Sequence, residues 1–341
     1  MNNDYEKVIS FDSLLKAHKK ARLSKQHKEE VIDFELNLSE NLWALHYELK
    51  YKKYQIGKYR KFKIKDPKER EIQAISYRDR IVQHSLCDNL LIPILEKHLI
   101  DTNCACRKNK GTSYAIKKLR SFMTSHYKKY GNSGYFIKLD IHKYFPSINH
   151  EVLMEKLKPF HFSADVMYLL KLIINSFPEN NRGMGLPMGN QTSQCFALLY
   201  LDKVDRYIKE GLQVKYYVRY MDDMILLVKD KMAASKYIRL IAIKIRNEKI
   251  VLNPKSSIIP VTSGIEFLGW RFSFSETGRI FQKVKSASKR RILCKVLNIK
   301  YRYKGDIDRI NKSLISYRGY LLRGNGNSFY YKLLKLSINK L

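Results

Sequence analysis

Apolar and polar positions along this chain divide it into a helical start, a mixed centre and a helical end. Residues 11–50 repeat apolar positions at helical spacing among many lysines. Residues 51–75 alternate and are cationic; "YRKFKIKDPKEREIQAI" predicts a hairpin turned at Asp66-Pro67. From Arg78 an amphipathic helix is expected to about His98, with Ile81, Val82, Leu86, Leu90, Ile94 and Leu95 on its apolar stripe. A second helix is expected over 113–130. "YFIKLD" then reads as a strand, with Ile137 and Leu139 on one face and Phe136, Lys138 and Asp140 on the other. Ser147 is placed to cap the helix that follows, and a further helix is expected over 164–176.

Residues 190–210 look helical behind a loop containing Gly and Pro. Val214–Val228 reads as strand, tight turn and strand, with Asp222 and Asp223 at the tip. A helix to about residue 249, a short hairpin in "GIEFLGWRF" and a basic helical end from about 283 complete the chain. This order predicts an α+β fold: an antiparallel sheet backed by helices on one face, between two cationic lobes.

Charge changes the picture from fold to partner. Lys and Arg number 65 against 32 acidic residues, a formal net charge of +33. Such an excess strains a compact protein unless a polyanion neutralises it, and nucleic acid fits best. The 24 tyrosines add flat faces suited to stacking on bases, although core packing also uses them. The five cysteines, Cys87, Cys104, Cys106, Cys195 and Cys294, contain no C-x-x-C pair. That argues against a zinc site or disulfide framework and for a reducing cytoplasm. The N-terminus lacks the layout of a signal peptide, and no run of about 18 apolar residues marks a membrane span, so no membrane partner is expected.

The candidate chemistry sits in "VRYMDDMILL". Two adjacent carboxylates repel, yet a turn lifts them out of the core while strands fix their positions. Rigid acids of this kind can hold a hard divalent cation, whose charge cancels the repulsion. Asp140, ending its own strand, is the candidate third acid, and three acids suit a two-ion site for phosphoryl transfer. The plainer alternative is a polar turn at Asp222-Asp223 and a helix-start residue at Asp140.

Taken together, "YVRYMDDMILL", "REIQAISYRDRIVQHSL", "CACRKNKGTSYAI", "FIKLDIHKYFPSI", "GLPMGNQTSQ", "LNPKS", "GIEFLGWRF" and "SYRGYLLRGNGNSFYYKL" resemble, in order, the motifs of reverse transcriptases. The resemblance covers roughly residues 50–335. It implies a right-hand polymerase fold: an N-terminal helical segment 1–50, fingers 51–134, a palm 135–275 with a fingers insertion at about 150–185, and a helical thumb 276–341. Ser193-Gln194 after Gly-Leu-Pro and Gly-Asn, with "RKNKGT" and the short thumb, resembles the enzymes of diversity-generating retroelements. Those enzymes, bacterial or phage-encoded, copy a template RNA with frequent errors at adenines. They usually work with a small basic accessory oligomer.

The resemblance also implies roles. Asp140, Asp222 and Asp223 would hold two Mg²⁺ (Mn²⁺ being possible), the carbonyl of Ile141 would add a ligand, and Lys255 would protonate the leaving pyrophosphate. Phe145 would fill the space of a ribose 2′-OH, and Met188 and Gly189 would border the incoming dNTP. Met188 stands where that subfamily usually has Ile, Val or Leu and more faithful enzymes have Gln; a soft apolar side chain tolerates imperfect pairs. Arg70, with Lys63 as the weaker candidate, would grip the triphosphate. Arg107, Lys108 and Lys110 read as template-backbone contacts, and Lys283, Lys285, Lys289, Arg290 and Arg291 as contacts to the primer and RNA/DNA duplex or to structured RNA. Core packing for Phe145 and Met188, and solvated charge for any single cation, are the bland alternatives.

Three further functional classes remain open at this point. One is an antiphage defence reverse transcriptase; another is a group II intron-like enzyme. The third is a non-catalytic RNA-binding protein, against which the intact acids argue.

Overall fold

The computed structural model describes residues 4–65, 69–177, 183–302 and 307–338. Four helices open the chain, Asp4–Ile9, Phe11–Ala21, Glu29–Leu36 and Leu38–Lys50. They pack on the helix Tyr77–Leu86, whose amphipathic stripe buries Ile81, Val82 and Leu86. Between them lies the paired hairpin of β1 (Arg60–Lys65) and β2 (Glu69–Ala74). Its expected turn at Asp66-Pro67 lies outside the described residues.

The long helix expected from Arg78 to His98 forms with one modification. Tyr77–Leu86 passes through a wider π turn at Cys87–Leu91 into Ile92–His98. Pro93 lies at the start of that last stretch; it has no amide to donate, and a widened turn relieves the ladder there.

The centre is a four-stranded antiparallel sheet in the order β4-β5-β3-β6, built from β3 (Tyr135–Leu139), β4 (Tyr216–Tyr220), β5 (Asp223–Val228) and β6 (Ser257–Pro260). The alternation in β3 behaves as expected. Ile137 and Leu139 enter one core with Tyr217, Met224 and Leu226, while Phe136 enters a second with Tyr216, Val218, Ile225 and Leu227. The first core is shared with the N-terminal helices and with His150–Leu157, Ala164–Asn175 and Gln191–Tyr200. The second is covered by Thr112–Tyr130, so helices reach both faces of the sheet rather than one. The reason is visible in "DMILLV", which is apolar at both parities and has to be buried on both sides. Each fully buried Leu or Ile contributes about 1.5–3 kcal/mol relative to exposure.

Ser147 does not cap the following helix. It ends the short helix Tyr144–Ser147, and Asn149 caps His150–Leu157 by accepting from the Val152 amide at 3.0 Å. "GIEFLGWRF" forms the expected hairpin, β7 (Ile265–Phe267) and β8 (Trp270–Phe274), extended by β9 (Ile280–Val284). The C-terminal helices Ser286–Arg302, Ile307–Leu321 and Asn327–Ile338 pack against this small sheet. Among the described residues no helix is long and apolar enough to cross a membrane.

Candidate active site

Strand pairing brings the acids together. β3 and β5 are antiparallel with Leu139 opposite Met224. Asp140, one residue beyond β3, therefore lies across from Asp223, the first residue of β5. Met221 and Asp222 form the turn between β4 and β5, with Met221 at φ +55° and Tyr220 paired to Asp223. A single end of the central sheet thus carries Asp140, Asp222 and Asp223.

The segment Leu252–Ser256 clasps Asp140. The Asn253 amide donates to the Asp140 carbonyl at 2.7 Å, and Asn253 Nδ2 donates to Asp140 Oδ2 at 2.9 Å. The Asp140 amide donates to Ser256 Oγ at 3.2 Å. Beside it Ile141 bridges Leu252, with the bonds carried by the flanking pairs, including His142 N–H to Val251 O at 3.0 Å. In such a non-hydrogen-bonded pair the carbonyl of Ile141 faces away from Leu252, toward the β5 side.

Asp223 is the strained member. Burial pushes its carboxyl up to about 6; Lys138 opposes this, and Asp140 and Asp222 add to it. Lys138 Nζ stands 4.0 Å from Asp223 Oδ1 while donating to the Glu266 carbonyl at 2.7 Å. Asp223 Oδ1 is buried without a hydrogen-bond partner. An unsatisfied carboxylate oxygen beside two further acids is a donor set of hard oxygens, which fits divalent cations such as magnesium. Among the described residues no three such side chains already close around one point, so the acids share a sheet end without forming a finished cage.

Reverse transcriptase (RNA-dependent DNA polymerase) is the family whose pattern matches this chain, over residues 62–272, more than half its length. The chain belongs to that family. Related sequences include a putative COX1/OXI3 intron 1 protein of Saccharomyces cerevisiae, 24% identical over 143 residues, 40% of this chain and 16% of that protein. Maturase-like protein 1 of Euglena gracilis is 27% identical over 158 residues, 43% of this chain and 30% of that protein. The chain spans less than a third of the length of these curated relatives. Among solved structures it is similar to telomerase from Candida albicans in complex with TWJ fragment of telomeric RNA. The TM-score is 0.52 at 13% identity, covering 82% of this chain and 55% of that chain. At that identity the likeness is one of fold, and the fold is the right-hand polymerase expected from the motifs.

Other expected site residues of this reverse transcriptase fall into two groups. Phe145 is half-buried and meets Tyr144 edge-on at 5.8 Å. Its carbonyl accepts from the Leu186 amide at 2.9 Å, while Gly185 N–H reaches Ile148 O at 2.7 Å. The loop carrying Met188 and Gly189 is thereby fastened to the segment carrying Phe145. Gly189 is exposed at φ +117°, a conformation that L side chains rarely adopt. Lys285, Arg290 and Arg291 line one cleft of about 890 Å³ together with Lys65 of the β1 end. Lys285 also pairs with Glu266 at 2.6 Å. Lys283 is exposed on β9, and Lys289 lies over the Phe329 ring at 5.6 Å.

The second group is placed otherwise. Arg107, expected at the template, is engaged within the fold. Its guanidinium is spent inside the fold on Glu96 Oε2 at 3.1 Å and on the carbonyls of Ile100, Asn103 and Glu96, so it braces its own loop. Lys110 is similarly engaged, by the Asp101 carbonyl at 2.7 Å, whereas Lys108 is exposed. Lys63 is exposed and pairs with Glu69 at 3.2 Å. Arg70 pairs through its backbone with Ile64, and its side chain lies outside the described residues. Lys255 is exposed, with its amide on Asn253 Oδ1 at 3.1 Å.

Two features escaped the sequence reading. One is the Asn253 clasp, which no single-sequence signal marks. The other is Arg219, fully buried in β4, which holds Asp205 in a bidentate pair at 2.8 Å and 2.6 Å. Tyr217 donates to the same carboxylate at 2.6 Å. Burial works against the Arg219 charge, but Asp205 outweighs it and the pKa of Arg219 is raised. An arginine among apolar strand residues was the available signal.

Proposed function

We propose that this chain is an RNA-directed DNA polymerase that extends a primer along an RNA template with dNTPs. The carrying observation is the delivery of Asp140, Asp222 and Asp223 to one sheet end, with Asp223 Oδ1 buried and unsatisfied. In this reading the three acids and the Ile141 carbonyl hold two divalent cations, Mg²⁺ or Mn²⁺. When bound, such ions activate an attacking oxygen and stabilise a leaving one in phosphoryl transfer. Asn253 orients Asp140, Phe145 excludes a ribose 2′-OH, and Met188 and Gly189 border the new pair. Lys63 and Arg70 bind triphosphate, and Lys255 delivers a proton to the leaving pyrophosphate. Lys283, Lys285, Lys289, Arg290 and Arg291 follow the RNA/DNA duplex, and Lys108 and Lys110 approach the template. Residues 51–134 act as fingers, 135–275 as palm and 276–341 as thumb, behind the N-terminal segment 1–50.

Primer extension with RNA template, dNTPs and Mg²⁺ tests the reading. Asp222→Ala should lower the rate by about three orders of magnitude, since the lost charge stabilisation amounts to several kcal/mol. A wild-type protein that extends no primer, even on its native RNA, would sink it.

The finer proposal is a mutagenic enzyme of the diversity-generating type, active in the cytoplasm with a small basic accessory oligomer. Met188 and the Ser193-Gln194 pair support it. An intron-type enzyme is the second reading, favoured by the intron-encoded relatives. Sequencing the cDNA separates them: errors concentrated at template adenines support the first, and even, sparse errors support the second. Met188→Gln should flatten an adenine bias; an unchanged spectrum removes Met188 from the explanation.

A further inference from the structure

At the end of the central sheet away from the acids, a cleft of about 250 Å³ opens between the last turn of the helix Thr112–Tyr130, the start of β4 and the helix Lys231–Asn247. Asp223 and Val228 are the two ends of β5, about 17 Å apart at the usual strand rise, so this cleft is separate from the acids. Its charge is one-sided. The two helices carry five Lys or Arg each and no Asp or Glu. Lys129, Lys215 and Lys229 line the cleft and are exposed. Among the described residues Lys129 and Lys215 have no carboxylate within ion-pair distance, and Lys229 has only Asp230, at 3.7 Å.

The lining is also aromatic and held in place. Tyr130 and Tyr237, both half-buried, line the cleft with Tyr216. The Lys129 ammonium lies over the Tyr130 ring at 5.2 Å and that of Lys215 over the Tyr216 ring at 5.7 Å, so cation and ring are presented together. From behind, the buried His126 packs on Tyr130 at 5.0 Å and on Tyr216 at 6.0 Å, and burial keeps its ring neutral. Lys209 Nζ donates to the carbonyls of Val214 and Lys215, both at 3.1 Å, which fixes the loop that carries Gln213 at φ +51°. A fixed floor with cations and rings suits an unpaired nucleotide: phosphate on the ammonium groups, base against a ring. A second copy of this chain would bring like charge to it, and a duplex keeps its base faces stacked away.

We propose that this cleft holds an unpaired nucleotide of RNA lying outside the primer–template duplex. Its base rests against Tyr130 and Tyr237, and its flanking phosphates meet Lys129, Lys215 and Lys229. Gln213, the amide in the lining, is the group that reads its ribose 2′-OH. The choice of RNA rests on the polymerase reading and on Gln213; the phosphate-and-ring chemistry does not.

The test uses the full chain saturated with a blunt RNA/DNA hybrid, and an RNA stem-loop with 2-aminopurine in its loop. The wild type should take up the stem-loop without releasing the hybrid, with a change in 2-aminopurine fluorescence. Lys129→Gln combined with Lys215→Gln should weaken stem-loop binding about tenfold and reduce the slope of log K against log salt by about 1.4, as two lost single-strand phosphate contacts require. Tyr237→Leu should weaken it about tenfold and abolish the fluorescence change with the slope unmoved. Both lysines are exposed, so their variant guards against a folding failure of the other. Hybrid affinity should be unchanged in both. A stem-loop that displaces the hybrid overturns the proposal, as does stem-loop affinity unmoved in both variants. A DNA stem-loop of the same sequence bound as tightly overturns the assignment to RNA, and polyglutamate that displaces the RNA at stoichiometric concentration overturns it in favour of an acidic protein. Run-off extension by the wild type is measured in parallel. No extension with variant-sensitive stem-loop binding means that the polymerase reading fails and the nucleotide cleft stands; normal extension with insensitive binding means the reverse.

Discussion

Arg219 Nη1 donates to the carbonyl of Met221 at 2.9 Å, so the turn that carries Asp222 is gripped by a residue of the strand that precedes it. The same guanidinium reaches Leu198 O at 2.9 Å and Asp205, tying the turn to the helices Gln191–Tyr200 and Asp202–Arg206. Removing one partner leaves a buried charge uncompensated, which costs about 3–5 kcal/mol. Asp205→Asn and Arg219→Met should therefore each destabilise the fold strongly in urea unfolding. The double change Asp205→Leu with Arg219→Met should cost less than either single change, because no orphaned charge remains. Additive losses would show that the pair is not coupled.

Asn253→Ala should leave the fold intact and slow nucleotide addition. It removes the bond that orients Asp140 Oδ2, and a hydrogen bond to a charged group contributes about 1.5–3 kcal/mol. A rate loss of about tenfold to a hundredfold, with a higher Mg²⁺ concentration at half-maximal rate, is the expected result of a metal titration. Unchanged metal dependence would make Asn253 merely structural.

Acid should weaken the protein through its buried histidines. Burial lowers the pKa of His126, opposed only by its bond to Ser133 O at 2.7 Å, and burial acts in the same direction at His18 and His84. These rings are neutral in the fold, whereas in the unfolded chain they take up protons as the pH falls through about 6.5. Their stabilisation is present above that pH and lost below it. Tm should fall between pH 7.5 and 5.5, and His126→Gln should reduce the slope.

Binding to RNA/DNA duplex should be steeply salt-dependent, given the net charge of +33. Arg290→Gln and Arg291→Gln should each weaken binding without regard to sequence. Each should also reduce the slope of log K against log salt by about 0.7–0.9. Anisotropy titrations at several salt concentrations check this; an unchanged slope would place the duplex elsewhere.

The central hairpin was legible because a tight turn between apolar runs leaves few alternatives, and the β3 alternation set which residues enter which core. The helix start at Asn149 was not, since Ser147 and Asn149 are both good caps and packing chose between them. The bonds of Arg107 were not legible for a related reason: a cation in a basic loop looks available until its carbonyl partners, four to eleven residues away, fold around it.

The central sheet has two outer margins, and both are blunted. Along β4, Asn103 bridges Arg219, with Arg219 N–H on Thr102 O at 3.0 Å and Cys104 N–H on Arg219 O at 2.9 Å. Along the other side, β6 is four residues long and ends at Pro260, which has no amide to offer. The central sheet, for all its apolar strands, therefore offers a neighbouring copy little to zip onto along either margin.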